Sequence, residues 1–347
     1  MTDLPCFYAP ETAAHQPRFW MLRGVPSNNK ETAERAERLL AGIADAGLRT
    51  SPVPLGDRAA MHRIHSARYL HFLEHAWDEW QTAPGAGVEV VANLHPQKTG
   101  QTYPDSIIGR AGWHMADTGC PLGRDTWGAA LRGVDTALAA TQAVRAGAGA
   151  AYALCRPPGH HADSDHAAGH CFLNNSAIAA ETLRGWHDRV AVLDIDVHHG
   201  NGTQSIFHDR ADVLTASVHA DPHNFYPFYQ GHAHEEGVGA GRGANLNLPL
   251  PIGSGDDPWL AAIDRALGRI RDFAPGALVV ALGLDAHEND PFKGLSVTTP
   301  GFARAAERIA ALNLPTVIVQ EGGYLSEDLT RNLSAFLKGW QGVRLPV

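Results

Sequence analysis

The sequence predicts one α/β domain, a parallel β-sheet covered by helices on both faces, and three observations carry that prediction. Short apolar, β-branched runs in the second half, AYALC (151–155), RVAVLDI (189–195), DVLTASV (212–218), ALVVALGL (277–284) and TVIVQ (316–320), alternate with helical segments in the pattern of βαβ units. Strands buried on both faces by crossover helices read as such continuous apolar runs. Two longer segments, NNKETAERAERLLAGIADAGL (28–48) and TWGAALRGVDTALAATQAVRA (126–146), place apolar residues at helical spacing and run out near a glycine. No internal repeat, low-complexity stretch or Ser/Gly/Pro-rich linker divides the 347 residues, so a single domain is expected over 1–347.

Each strand run leads straight into a polar motif. AYALC continues into RPPGHH, RVAVL into DIDVHHGNG, LTASV into HADPH, ALVVALGL into DAHENDP and TVIVQ into EGGY. All of these motifs therefore sit at strand carboxyl ends. In an open parallel sheet the ligand crevice lies outside those ends, which gathers residues far apart in sequence at one place.

Composition narrows the function. Apolar residues make up 44% and charged residues 19%, ordinary for a globular protein, and no apolar run approaches the ~20 residues of a membrane span. The opening MTDLPCFYAPETAAHQ has neither the basic nor the apolar region of a secretory signal, so a cytoplasmic protein is expected. Cys6, Cys120, Cys155 and Cys171 lie far apart without a C-x-x-C pair, which disfavours a disulfide framework and a thiolate zinc site. A net charge of -9 disfavours nucleic acid, whose binders present a basic face, and suits a cationic substrate. Twenty histidines, many beside Asp or Gly, stand out.

The motifs assemble a metal site. Asp196 and His198 are two apart, so a strand continuing through them projects both side chains the same way, and Asp285 adds a third ligand of the same hard or borderline type. One histidine and two carboxylates leave positions open for water and a substrate oxygen, as a catalytic zinc site requires. Any one of these residues alone reads as a turn or helix cap. Together on crevice-lining loops they are costly unless a divalent cation pairs them. His160 and His161 follow a Pro-Pro-Gly turn, and Asp194 is placed to accept a hydrogen bond from His160 and fix its tautomer. Tyr324, after two glycines that allow close approach to a ligand, is positioned to donate to a carbonyl and its developing oxyanion.

Over about 20–340, RPPGHHA, GHCFLNN, DIDVHHGNGT, GLDAHENDP and EGGY make the chain resemble the histone deacetylase and acetylpolyamine amidohydrolase family, closest in appearance to its bacterial acetylpolyamine amidohydrolases. The resemblance implies an arginase-deacetylase-like three-layer α/β/α fold with a mostly parallel sheet of about eight strands. It implies that Asp196, His198 and Asp285 hold Zn2+ or ferrous iron, that His161 is the general base and acid, His160 its electrostatic partner and Tyr324 the carbonyl polariser. It also implies a structural K+ near Asp194, Asp196, His198, Ser217 and Val218. Two positions depart from the family pattern. Asn201 stands where many members carry an aspartate, which leaves the second tandem histidine a neutral partner and a lower pKa. His170 stands where an aromatic wall residue is usual; with Tyr226 it is expected to flank the acylated chain. An arginase would place a second aspartate two residues after Asp285, and His287 there argues against a binuclear site.

The implied reaction is hydrolysis of an acetylated amine to acetate and free amine. The stretch 83–125 looks like the insertion with which acetylpolyamine amidohydrolases narrow the active-site mouth across a homodimer, so a small cationic acetylated amine is the expected substrate. Asp117 is the first candidate for recognising its charge, with Glu89 and Asp105 behind it. A protein acyl-lysine deacetylase is the alternative, and a catalytically weak acetyl-lysine reader a second. Neither nucleic acid nor a membrane is an expected partner.

Overall fold

A computed structural model describes residues 4–97 and 101–342. Its strands are β1 (Cys6–Phe7), β2 (Phe19–Leu22), β3 (Val25–Asn28), β4 (Thr50–Ser51), β5 (Ala150–Ala153), β6 (Val190–Asp194), β7 (Val213–Ala220), β8 (Asn245–Leu250), β9 (Ala277–Leu282) and β10 (Thr316–Gln320). Eight of them form one sheet in the order β4-β1-β5-β10-β9-β6-β7-β8, with β2 and β3 apart as an antiparallel hairpin. Every pairing in the large sheet is parallel. The predicted α/β class and its eight-stranded parallel sheet are thus both present.

Alternation along each strand builds the layers, because successive side chains of a strand point to opposite faces. Leu193, Leu214, Val280 and Ile318 pack on one face against helices Asp256–Phe273, Thr299–Ala310 and Leu329–Gly342. Val192, Val213, Val279 and Val319 pack on the other against helices Ala67–Gln81, Thr126–Arg145 and Asn175–Arg184. The central strands are buried along their whole length, as their uninterrupted apolar runs require.

After β5 the chain skips two places to β6, runs outward through β7 and β8, then returns to fill the gap with β9 and β10. That reversal in the middle of the sheet is a topological switch point, and the loops after β5, β6, β9 and β10 open into the same crevice.

The helix expected over 28–48 begins later, at Ala33, because Val25–Asn28 is held in the hairpin. The helix expected over 126–146 spans Thr126–Arg145. The part of 83–125 that is described, 83–97 and 101–125, is more than a loop. It contains helix Ile107–His114 and is stapled by the antiparallel bridge Val90↔Leu122 and the parallel bridge Met115↔Ala167, which ties it to the GHC turn. Among the described residues no helix is long and apolar enough to cross a membrane.

Candidate metal and catalytic site

β6 ends at Asp194, so Asp196 and His198 stand on the loop beyond the strand and not within it. Carboxylates replace the ladder in shaping that loop. Asp194 Oδ1 accepts the Asp196 N–H at 3.0 Å, Asp196 Oδ1 the His198 N–H at 2.9 Å and Asp285 Oδ1 the Val197 N–H at 3.0 Å. These bonds aim Asp196, His198 and Asp285 at one another until each offers a ligand atom within 4.8 Å of the others. His198 Nδ1 lies 3.0 Å from Asp196 Oδ1 and 3.2 Å from Asp285 Oδ2. Gly283 and Gly322 pack so tightly on the carboxylates that a Cβ at either would collide with them.

The residues fit a divalent cation on an observation independent of any family. Asp285 Oδ2 is buried without a well-formed hydrogen bond, its one close polar neighbour being His198 Nδ1 at 3.2 Å, itself a candidate ligand. A carboxylate oxygen so poorly satisfied in the interior is expensive unless a positive charge satisfies it. Burial and the charge of Asp196 push Asp285 up to about 6. Burial opposes a charge on His198, yet the same two carboxylates raise it to about 9. A field that holds a proton so firmly on Nδ1 favours a metal ion there for the same reason.

The tandem histidines are set in opposite states. His160 Nδ1 bonds to Asp194 Oδ2 at 2.8 Å, and despite its burial the carboxylates of Asp194 and Asp196 raise it to about 10. His161 Nδ1 donates instead to the Asn201 side-chain oxygen at 2.7 Å. Burial, together with the neighbouring His160 at 4.0 Å between ring centroids, holds His161 well below the ordinary histidine value. Its Nε2 lone pair is therefore free at neutral pH.

Tyr324 arrives on the turn after β10, where Gly323 adopts φ +114, which only glycine takes easily. Phe292 joins it to the ligand set, edge-on to Tyr324 at 4.6 Å and to His198 at 5.1 Å. Burial keeps its phenol protonated, as a donor must be. The walls follow. Tyr226 stands T-shaped to His161 at 4.9 Å and donates its O–H to Asp117 Oδ2 at 2.6 Å. His170, at φ +71, lies 5.8 Å from Tyr324 and binds the Gly119 carbonyl through Nδ1 at 2.6 Å.

Of the three carboxylates expected at the rim, Asp117 is the one beside these walls, and it is half-buried, also accepting the Gly119 and Gly169 N–H groups. Glu89 is buried, with one oxygen on the Arg18 N–H, while Asp105 is exposed. His287 turns away from the carboxylates and accepts the Asn289 N–H. Ser217 is paired with Asp194 across β6 and β7, its hydroxyl 2.8 Å from His219 Nδ1.

Sequence reasoning missed the supports. Glu321, quoted only as part of EGGY, accepts the Gly159 and His160 N–H groups and the Ser176 hydroxyl, so it sets the turn that presents both histidines. With its oxygens so committed, the second buried group, His160, Cys171 and Glu321, is a positioning cluster. Arg35 and Arg156 share the carboxylate of Glu31, and Arg35 also donates to the Glu321 and Gly323 carbonyls beneath the Tyr324 ring. Phe225, stacked on His198 at 5.1 Å, and Trp20, 5.5 Å from His170, complete the walls. Phe292 and Phe225 stand beside quoted motifs, whereas nothing near Trp20 signals its place.

A parallel sheet with this switch point and this ligand set defines a deacetylase of the histone deacetylase class, and residues 29–340 match the histone deacetylase domain. The chain belongs to that family and is a hydrolase of the deacetylase type. It is 45% identical over 339 residues to the acetylpolyamine amidohydrolase of Burkholderia pseudomallei, covering 97% of this chain and 99% of that protein. It is 44% identical to acetylpolyamine amidohydrolase 1 of Pseudomonas aeruginosa, over 90% of this chain and 91% of the relative. The crystal structure of the Burkholderia pseudomallei acetylpolyamine aminohydrolase superposes with a TM-score of 0.95, covering 98% of this chain and 99% of that one.

Proposed function

We propose that this protein is a zinc-dependent amidohydrolase that releases acetate from acetylpolyamines and similar small acetylated amines. The observation that carries the reading is the Asp196–His198–Asp285 cluster with its poorly satisfied oxygen, set beside a histidine held neutral. A cation there would supply Lewis acidity, acidifying water and polarising the acetyl carbonyl. His161 Nε2 takes a proton from the attacking water, and the resulting imidazolium passes it to the departing amine nitrogen. Tyr324 donates to the oxyanion of the tetrahedral intermediate. His160, kept charged by Asp194, adds a fixed positive field beside that oxyanion. Zn2+ is the ion proposed, and ferrous iron suits one histidine and two carboxylates as well.

The substrate reading rests on near full-length similarity to acetylpolyamine amidohydrolases and on the 83–125 segment lying against the GHC wall. His170, Tyr226 and Asp117 are proposed to receive the substrate, Asp117 supplying the negative charge for its cationic tail. A homodimer in which 83–125 narrows the mouth, a K+ among Asp194, Asp196, His198, Ser217 and Val218, and a cytoplasmic location belong to the same proposal. The test compares kcat/KM for N-acetylputrescine, N-acetylspermidine, N-acetylcadaverine and an acetyl-lysine peptide on metal-reconstituted enzyme. Preference for the three small amines is expected. Preference for the peptide would replace the polyamine reading with the protein-deacetylase one, and no turnover of any would leave a reader.

A further inference from the structure

The loop from Asp221 to Glu235 holds three histidines that the proposed chemistry leaves unused. His223 and His232 face each other across its base with ring centroids 4.6 Å apart and planes at 75°. His234 stacks beside His232 at 5.7 Å and 20°. Two of the three are already oriented. Asp221 accepts from His223 Nδ1 at 2.7 Å, which leaves Nε2 as the free lone pair. His232 Nε2 donates to the Phe228 carbonyl at 3.2 Å, which frees Nδ1. An oxygen acceptor behind one ring nitrogen is the arrangement that fixes the tautomer of a metal-ligating histidine. The three nitrogens do not meet at one point in the structure, but His234 is exposed, so a change between staggered rotamers would bring its imidazole to an ion shared with His223 and His232 while His223 keeps its Asp221 bond.

We propose that His223, His232 and His234 form a peripheral site for a late first-row divalent ion, separate from the Asp196–His198–Asp285 cluster. Imidazole nitrogens select such ions over Mg2+ and Ca2+. The segment between His223 and His232 carries Phe225, stacked on His198, and Tyr226, packed on His161. Its far end is anchored, since the Gly231 carbonyl accepts from His219 Nε2 at 2.8 Å and the Gly231 N–H donates to Glu235 at 2.9 Å. An ion joining the two histidines therefore clamps the loop at its base and shifts both tunnel walls, lowering turnover. That consequence rests on the deacetylase reading; binding of the ion does not.

Untagged protein carrying His71→Ala and His75→Ala is the parent for the test, because those two histidines, with rings 4.2 Å apart on helix Ala67–Gln81, are a second exposed pair. The protein is loaded with one equivalent of Zn2+ and titrated with Ni2+ by calorimetry, with zinc content followed by elemental analysis. One further equivalent should bind in the micromolar range, vanish in the added His223→Ala/His234→Ala variant, and reduce kcat/KM several-fold in the parent alone. A further equivalent that persists in the variant, or none in the parent, overturns the site. Binding without loss of activity overturns the clamp, whereas intact binding to a protein inactive on every acetylated amine overturns the deacetylase reading and leaves the site standing.

Discussion

Replacing Asn201 by Asp puts a carboxylate where an amide oxygen now accepts from His161 Nδ1 at 2.7 Å. The molecule contains its own reference for that change. His160, one position earlier, holds the Asp194 carboxylate at 2.8 Å and stands at about 10, whereas His161, with a neutral partner, is held well below the ordinary value. The comparison sets an upper bound, because Asp196 Oδ1 also lies 3.8 Å from His160 Nε2. An added opposite charge at hydrogen-bond distance moves a pKa by ~1–3 units, or about 1.4–4 kcal/mol in favour of the charged form. Asn201 is only half-buried, so solvent screens the new charge and a rise of ~1–2 units is expected. The sign follows from the role: the base works when neutral, so raising its pKa moves the acidic limb of the kcat/KM profile toward neutral pH by the same amount. The assay is kcat/KM for N-acetylputrescine from pH 5 to 9, with metal content measured on each sample. An unmoved acidic limb in a folded, fully metallated Asn201→Asp variant would remove His161 from the role of base.

Asp196→Ala, His198→Ala or Asp285→Ala should abolish both metal retention and turnover, and stoichiometric zinc with full activity in any of them would refute the ligand set. Gly322→Ala should do nearly the same without touching a ligand, because its Cβ would occupy the space of the Asp196 and Asp285 carboxylates; wild-type zinc affinity would refute the packing argument. Tyr324→Phe should keep metal and fold while lowering kcat by ~10²-fold or more, the scale of one lost oxyanion donor, and an unchanged kcat would dismiss the phenol. Asp117→Asn should raise KM for acetylpolyamines, most at low salt, while sparing a neutral acetanilide-type substrate. Equal losses on both substrates would show that Asp117 serves only to hold Tyr226 and the Gly169 turn.

The elements that could be read in advance are those whose local pattern coincides with their final environment. β5, β6, β7, β9 and β10 are buried on both faces, so β5, β6, β9 and β10 are near-continuous apolar runs while β7 alternates apolar residues with buried Thr215, Ser217 and His219, and the motif after each marks its carboxyl end. β8 escapes that pattern because it is an edge strand. It alternates Asn with Leu and carries Pro249, tolerated where only one neighbour pairs. β1 and β4 are two residues each, too short for any periodicity to register. In the hairpin, β2 is the apolar run Phe-Trp-Met-Leu but is partly exposed, and its partner β3 contains Pro26, so the pairing and the place of Trp20 beside His170 do not show in the local pattern.

The place of Asn201 beside His161 came from the family resemblance, whereas the sequence by itself determined the class of fold, the candidate ligands Asp196, His198 and Asp285 and the pairing of His160 with Asp194. Those follow from residue types placed at the ends of recognisable strands, and a strand end is a local property. Only the tertiary structure decided what surrounds them. Asp196 and His198 converge with Asp285 through carboxylate-capped loop turns and not through strand alternation. Glu31 and Arg35 stand four apart, but on a helix that spacing reads as an ordinary exposed ion pair; their burial, like that of Glu321, rests on partners distant in the chain, Arg156 on Glu31 and the Glu321 and Gly323 carbonyls on Arg35, which no local window contains. The same holds for Asp117, whose carboxylate looks like a free rim charge until Tyr226 and Gly169 are folded against it.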